Sequence, residues 1–231
     1  MNKGFTLSEI LITLGIVGIV AVLTVPGVMR NYQNRLYTAQ LEKTYAQIYD
    51  AAQAIMTDEH VDNFYETTAG GALNTECSTN SNCTQGIGYF FNNYLKTIKK
   101  NCANGDDKCV FTNNTTYKTI GGNNLNGIGG RYCVQTVTGA SVCGSYNSEN
   151  KCTTLIIDIN GIAQPNVAGR DVFAMDIHKN GSISDYGSGC NDNAKGCVAS
   201  TCTTKEDTAS LAEASCGCLN SIIDAGWKME Y

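Results

Sequence analysis

From residue 10 to residue 25 the chain carries no charged side chain, and from residue 5 to residue 29 the only ionisable one is Glu9. As a helix rising about 1.5 Å per residue, residues 5–29 would extend roughly 37 Å, enough to cross a hydrocarbon core of about 30 Å. The pattern predicts a membrane-spanning helix with one carboxylate near its start. Residues 30–56 then lack Gly and Pro, and Leu36, Tyr37, Leu41, Thr44, Tyr45, Ile48, Ala51, Ala52, Ile55 and Met56 recur three to four positions apart. That period is the signature of an amphipathic helix with one buried stripe, the tyrosines reading as packing residues. Because only Pro26-Gly27 interrupts the passage, the two stretches read as one long helix over residues 5–56.

The pattern changes after Thr57. Residues 57–130 are rich in Asn, Gly, Thr and Ser, with turn clusters at Asn123-Asn124 and Gly129-Gly130. Within them residues 87–100 predict a short helix with Tyr89, Phe90, Tyr94, Leu95 and Ile98 on its apolar side and a solvated basic face of Lys96, Lys99 and Lys100. Strand signals concentrate over residues 131–184. Residues 132–137 and 141–143 flank Thr138-Gly139-Ala140 as a hairpin that would bring Cys133 near Cys143. Residues 153–159 are closed by Asn160-Gly161 and residues 171–178 by Asn180-Gly181, both strong turn dipeptides. The fold class expected is α+β, a long N-terminal helix packed on an antiparallel sheet with a disulfide-rich C-terminal region. The tail over residues 187–231 predicts one helix at 209–225, and with few aliphatic side chains it needs cross-links more than a core.

Cysteine usage adds the compartment. All twelve cysteines fall at or after Cys77, an even number confined to the part downstream of the apolar stretch. This reads as a disulfide framework made in an oxidising compartment, so the C-terminal part is expected outside the cytoplasm. Local pairs Cys77–Cys83, Cys102–Cys109, Cys133–Cys143 and Cys190–Cys197 are expected, leaving Cys152, Cys202, Cys216 and Cys218 to close longer loops. About two hundred residues remain after the span, enough for one substantial domain. A net charge of −5 and a pI near 5.0 argue against a sequence-independent nucleic-acid surface.

Glu9 is the chemical anomaly. A charge inside a membrane span costs on the order of 2.5–3.5 kcal/mol at its centre and marks function. Its cation is not on the helix, since Lys3 precedes it and Arg30 lies at the far end. A chain cut between Gly4 and Phe5 would carry a new α-amino group with a pKa of about 7.7–8, charged at neutral pH, and Glu9 could pair with its own or a neighbour's amine.

The order Gly4-Phe5-Thr6-Leu7-Ser8-Glu9 followed by an uncharged run resembles the class III prepilin signal of type IV pilins and type II secretion pseudopilins. The resemblance implies cleavage after Gly4 by a prepilin peptidase, N-methylation of Phe5, and pairing of Glu9 with the amine of an adjacent subunit during assembly. Gly18 and Pro26 match positions where such helices carry a helix-weakening residue, and proline costs about 3 kcal/mol in a helix interior. Ser8 departs from the aliphatic residue common there. The implied organisation is a leader over residues 1–4, a transmembrane or filament-core helix over 5–29, an amphipathic helix over 30–56, and an extracytoplasmic head over 57–231. The implied partners are identical or related pilin subunits, the prepilin peptidase and the inner-membrane assembly machinery. The location is the inner membrane first and a periplasmic or surface filament afterwards. The pattern Asp158-x-Asn160-Gly161…Pro165-Asn166…Gly169-x-Asp171-x-Phe173 also looks like a segment of pilin-like proteins, from which no residue role is carried over.

Other readings stand beside this one. Residues 1–21 resemble a secretory signal but lack an A-x-A-like cleavage site. A membrane-anchored or secreted disulfide-rich binding or enzymatic domain is the alternative of another class. Cys197, Cys202, Cys216 and Cys218 form a loose Cys₄ zinc spacing, and Cys216-Gly217-Cys218 a redox-like pair without a thioredoxin-like pattern around it. No catalytic fingerprint is found, His60 and His178 have no visible partners, and no enzyme activity or resident cofactor is expected. Calcium is the one cation considered, at Asp185 with Asn191-Asp192-Asn193, or at Asp158 with Asn160; the spacing is not that of an EF-hand loop, and turns capped by these side chains are the simpler reading.

Overall fold

The computed structural model describes residues 4, 6–70, 83–105, 107–113, 115–147, 152–187, 202 and 207–231. The elements run in the order α1 (Leu7–Asp58), a 3-10 turn (Phe64–Glu66), α2 (Gly86–Tyr94), β1 (Thr97–Lys100), β2 (Tyr132–Thr136), β3 (Ser141–Asn147), β4 (Cys152–Asp158), β5 (Val172–Ile177), β6 (Ile183–Asp185), α3 (Leu211–Ala214) and α4 (Cys218–Asp224). The chain divides into two compact units, Met1–Leu36 and Tyr37–Tyr231.

In the first unit the apolar side chains of α1 from Leu7 to Met29 are almost all exposed, and α1 is long and apolar enough to cross a membrane. Its hydroxyls are returned to the helix itself: Thr13 Oγ1 donates to the Ile10 carbonyl and Thr24 Oγ1 to the Val20 carbonyl, each at 2.9 Å. A helix facing lipid needs such internal satisfaction, because no water is there to substitute.

The second unit is built on a six-stranded antiparallel sheet in which strand order follows chain order, β1 to β6. Successive side chains point to opposite faces, and both faces are covered. Val134, Val142, Leu155, Ile157, Phe173 and Met175 face one core, shared with the Leu41, Ile48, Ala52 and Ile55 stripe of α1 and with Phe90 and Phe91 of α2. Cys133, Cys143, Ile156, Val172 and Ala174 face a second core, closed by Val110, Tyr117, Leu125 and Ile128 of the long β1–β2 connection and by Leu211 and Ala214 of α3. Gly144 of β3 lets α2 approach. A Cβ there would stand 2.5 Å from Ile87 Cγ1 and 3.0 Å from Phe91 Cζ.

Three readings of the sequence are corrected here. The helix expected over residues 87–100 ends at Tyr94; Leu95 is extended, and Thr97–Lys100 forms β1, paired antiparallel with β2. Local periodicity there yields to pairing at the sheet edge, where β-branched Thr97 and Ile98 fit. The single helix expected over residues 209–225 is two short ones, separated where Gly217 takes a left-handed conformation (φ 76°). The tail is also less dependent on cross-links than its composition suggests, because Leu211, Ala212, Leu219 and Ile222 are buried and join the two cores.

Candidate functional site

The N-terminal end of α1 is organised by two side chains. Thr6 N and Thr6 Oγ1 both donate to Glu9 Oε2, at 2.8 and 2.7 Å, and Glu9 N donates to Thr6 Oγ1 at 3.4 Å. With Leu7 as the first helical residue, Thr6 is the N-cap and Glu9 the third residue of the helix, so the pair forms a reciprocal capping box. The cap fixes the rotamer of Glu9 and uses one of its oxygens. Oε1 takes no part in these bonds, and the side chain is exposed. Ser8 Oγ stands 3.1 Å from Thr6 Oγ1, which gives the departure at that position a local partner.

Gly4 precedes the cap and is exposed, while Phe5 lies outside the described residues. Gly18 and Pro26 both lie inside α1, which continues through them. A Cβ at Gly18 would meet nothing within 4 Å, so packing within this chain does not call for glycine there. Beyond these positions the surface from Leu7 to Met29 is a cylinder of aliphatic side chains broken by Ser8, Glu9, Thr13, Thr24, Pro26 and the glycines.

Residues 1–25 match the family model described as the prokaryotic N-terminal methylation motif. The chain carries a prepilin signal. This is the class III motif of type IV pilins and pseudopilins, and the match covers residues 1–4, the capping box and most of the apolar run. The prepilin motif thus stops within α1 and leaves the head unmatched. No curated protein and no solved structure matches the chain.

The cysteines among the described residues are oxidised. Cys102–Cys109, Cys133–Cys143 and Cys202–Cys218 are disulfides, and Cys83, Cys152 and Cys216 are disulfide-bonded as well. Cys133 and Cys143 stand directly opposite each other on β2 and β3. Cys77, Cys190 and Cys197, and with them the expected pairs Cys77–Cys83 and Cys190–Cys197, lie outside the described residues. Cys202, Cys216 and Cys218 are spent on disulfides, so neither the zinc set nor a free Cys216/Cys218 redox pair is available.

One calcium candidate, Asp185, has another occupation. Asp185 Oδ1 accepts from Gly217 N at 3.2 Å and Oδ2 from Asn220 N at 3.0 Å, which makes it the acceptor for the start of α4. Asn191, Asp192 and Asn193 lie outside the described residues. Among the described residues no three His, Cys, Asp or Glu side chains gather as a metal-binding group. Sequence reasoning missed one contact: His178 Nε2 hydrogen-bonds with Ser184 Oγ across the β5–β6 turn. Asp176 is near, but its carboxylate is taken by Thr154 Oγ1 and Gly187 N. Among the described residues the hydrogen bond found for His178 is therefore to a hydroxyl and not to a carboxylate. His60 follows the end of α1 in a left-handed conformation (φ 56°).

Proposed function

We propose that this chain is a prepilin-type subunit of a type IV pilus or type II secretion pseudopilus. It is cleaved after Gly4, N-methylated at Phe5 and polymerised through α1, and it serves as a building block, not as a catalyst. The observation that carries the reading is the methylation motif running directly into a helix whose aliphatic surface is exposed along its first half. Such a surface has two chemically suitable environments, lipid before assembly and the helices of neighbouring subunits afterwards. The capping box adds the detail that Glu9 presents Oε1 outward from a fixed rotamer, suited to accept from a neighbour's methylated amine. The oxidised head supports placement outside the cytoplasm.

The test is Glu9→Val, examined by the amount of protein in sheared-surface and membrane fractions. The reading expects loss of the subunit from the sheared fraction, with membrane insertion and the oxidised head unchanged. Undiminished recovery from the sheared fraction would overturn the assembly role of Glu9.

A further inference from the structure

The loop between β4 and β5, residues 159–171, closes over two carboxyl groups. Asp158, at the end of β4, and Asp171, just before β5, are both fully buried (0% exposed). They are not equivalent. Asp171 Oδ1 accepts the Val167 N–H at 2.6 Å and Oδ2 accepts the Asn166 N–H at 2.7 Å, an arrangement that favours the ionised form. Asp158 Oδ2 accepts from the Tyr117 hydroxyl at 3.4 Å. With the Asn166 amide oriented by its surroundings, Nδ2 also donates to Asp158 Oδ2 at 3.2 Å and to the Ala163 carbonyl at 3.3 Å. Asp158 Oδ1, equally buried, has no hydrogen-bond partner.

No cation compensates the pair. Among the described residues neither aspartate takes part in an ion pair. The other titratable groups facing them are Tyr117, from the connection before β2, and Tyr37 of α1, which feels both carboxylates and the half-exposed Arg170 guanidinium. Two buried carboxylates flanked by two phenols leave one negative charge without a partner, and a buried charge in that position neutralises itself.

We propose that this loop is a proton-held clasp: Asp158 is carried as the neutral acid, its proton on the oxygen that no donor reaches, and the loop loosens when that proton leaves. Burial, followed by the Asp171 charge, pushes Asp158 well above the usual carboxylate range, and burial pushes Asp171 up to about 6. A carboxyl raised on folding stabilises the closed loop below its ordinary titration and loses that contribution as pH climbs through the folded value. The clasp therefore opens on the alkaline side. Its opening reaches the chain end: a Cβ at Gly169 (φ 80°) would be 2.7 Å from Cys218 Sγ, so the loop backbone lies against the Cys202–Cys218 disulfide. Tyr231 Oη also donates to the Gly169 carbonyl at 2.6 Å.

The experiment uses the full chain in detergent micelles. Amide exchange of residues 159–171, corrected for intrinsic rates, is followed from about pH 5 to about pH 9 for the native protein and for Asp158→Asn, a neutral isostere. The clasp predicts that native protection falls by up to about tenfold per pH unit until the Asp158 titration is passed and levels off above it, while the variant, left with Asp171 alone, is flat above about pH 6. Native protection that does not change with pH, or the same fall in both proteins, overturns it. So does native protection that millimolar calcium restores at high pH and a chelator removes at neutral pH, since the loop would then be a cation site. Should Asp158→Asn fail to fold, ¹³C titration of aspartate carboxyl carbons in the native chain decides: one carboxyl still neutral at pH 7 supports the clasp, and all of them ionised contradicts it.

Discussion

Asp185 and Gly144 show how much single residues of the head are committed to structure. Asp185 is the acceptor for the first amides of α4, taking the N–H groups of Gly217 and Asn220. Asp185→Ala should therefore cost about 1–3 kcal/mol, read as a lowered urea midpoint, because buried amide donors lose their acceptor. Gly144→Ala should destabilise by a similar margin, about 1–3 kcal/mol, since the new methyl meets Ile87 and Phe91 at sub-contact distance in a filled core. Glu9 is of another kind: its charge is explained within the chain only as far as Oε2, through the Thr6 cap, and the remaining oxygen is what the assembly reading uses. The order Thr6-x-x-Glu9 is a capping signature legible in the sequence, although the carboxylate's place in an apolar run is the more conspicuous signal.

At the scale of elements, the disulfides and the second core belong together. Cys102–Cys109 and Cys133–Cys143 both lie in the face of the sheet opposite α1, among Val110, Tyr117, Leu125 and Ile128. Reduction is expected to open that layer to protease, with new cleavage within residues 102–131, and to leave α1 uncut; equal cleavage with and without reductant would show that the apolar contacts suffice alone. The long helix was legible because its two periods, unbroken apolar and then three-to-four, persist over fifty residues. The hairpin at Gly139 and the strands before Asn160-Gly161 and Asn180-Gly181 were legible because turn chemistry is local. β1 was not, since Thr97–Lys100 becomes a strand only through pairing with β2, more than thirty residues away. The outer layer was hidden for a related reason: an Asn- and Gly-rich connection reads as loop, and its few apolar residues reveal themselves as core only when folded back onto the sheet. At the candidate site, Gly4, Phe5 and Glu9 stand in a contiguous motif, whereas the Asp158–Asp171 cluster is assembled from four separate segments.

On the scale of the whole molecule, four buried aspartates give the head an unusual pH response. Burial is the first cause that raises Asp158, Asp171, Asp176 and Asp185, with Asp171 and Asp185 pushed up to about 6. Each favours its neutral form in the folded state, so each adds stability at low pH and loses it as pH climbs through the folded value. The urea midpoint should thus rise on going from about pH 8 to about pH 5, with Asp171 and Asp185 contributing only as pH drops below about 6; a midpoint that falls over the same interval would contradict their raised titrations. The assignment as a pilin-type subunit is tested most directly at the N-terminal end, by intact and N-terminal-peptide mass spectrometry of the protein from membrane and sheared-surface fractions. A chain beginning at N-methylated Phe5, carrying the mass deficit of its disulfides, is the predicted result. A chain that still begins at Met1 in both fractions, or one that begins beyond the apolar stretch, would contradict it.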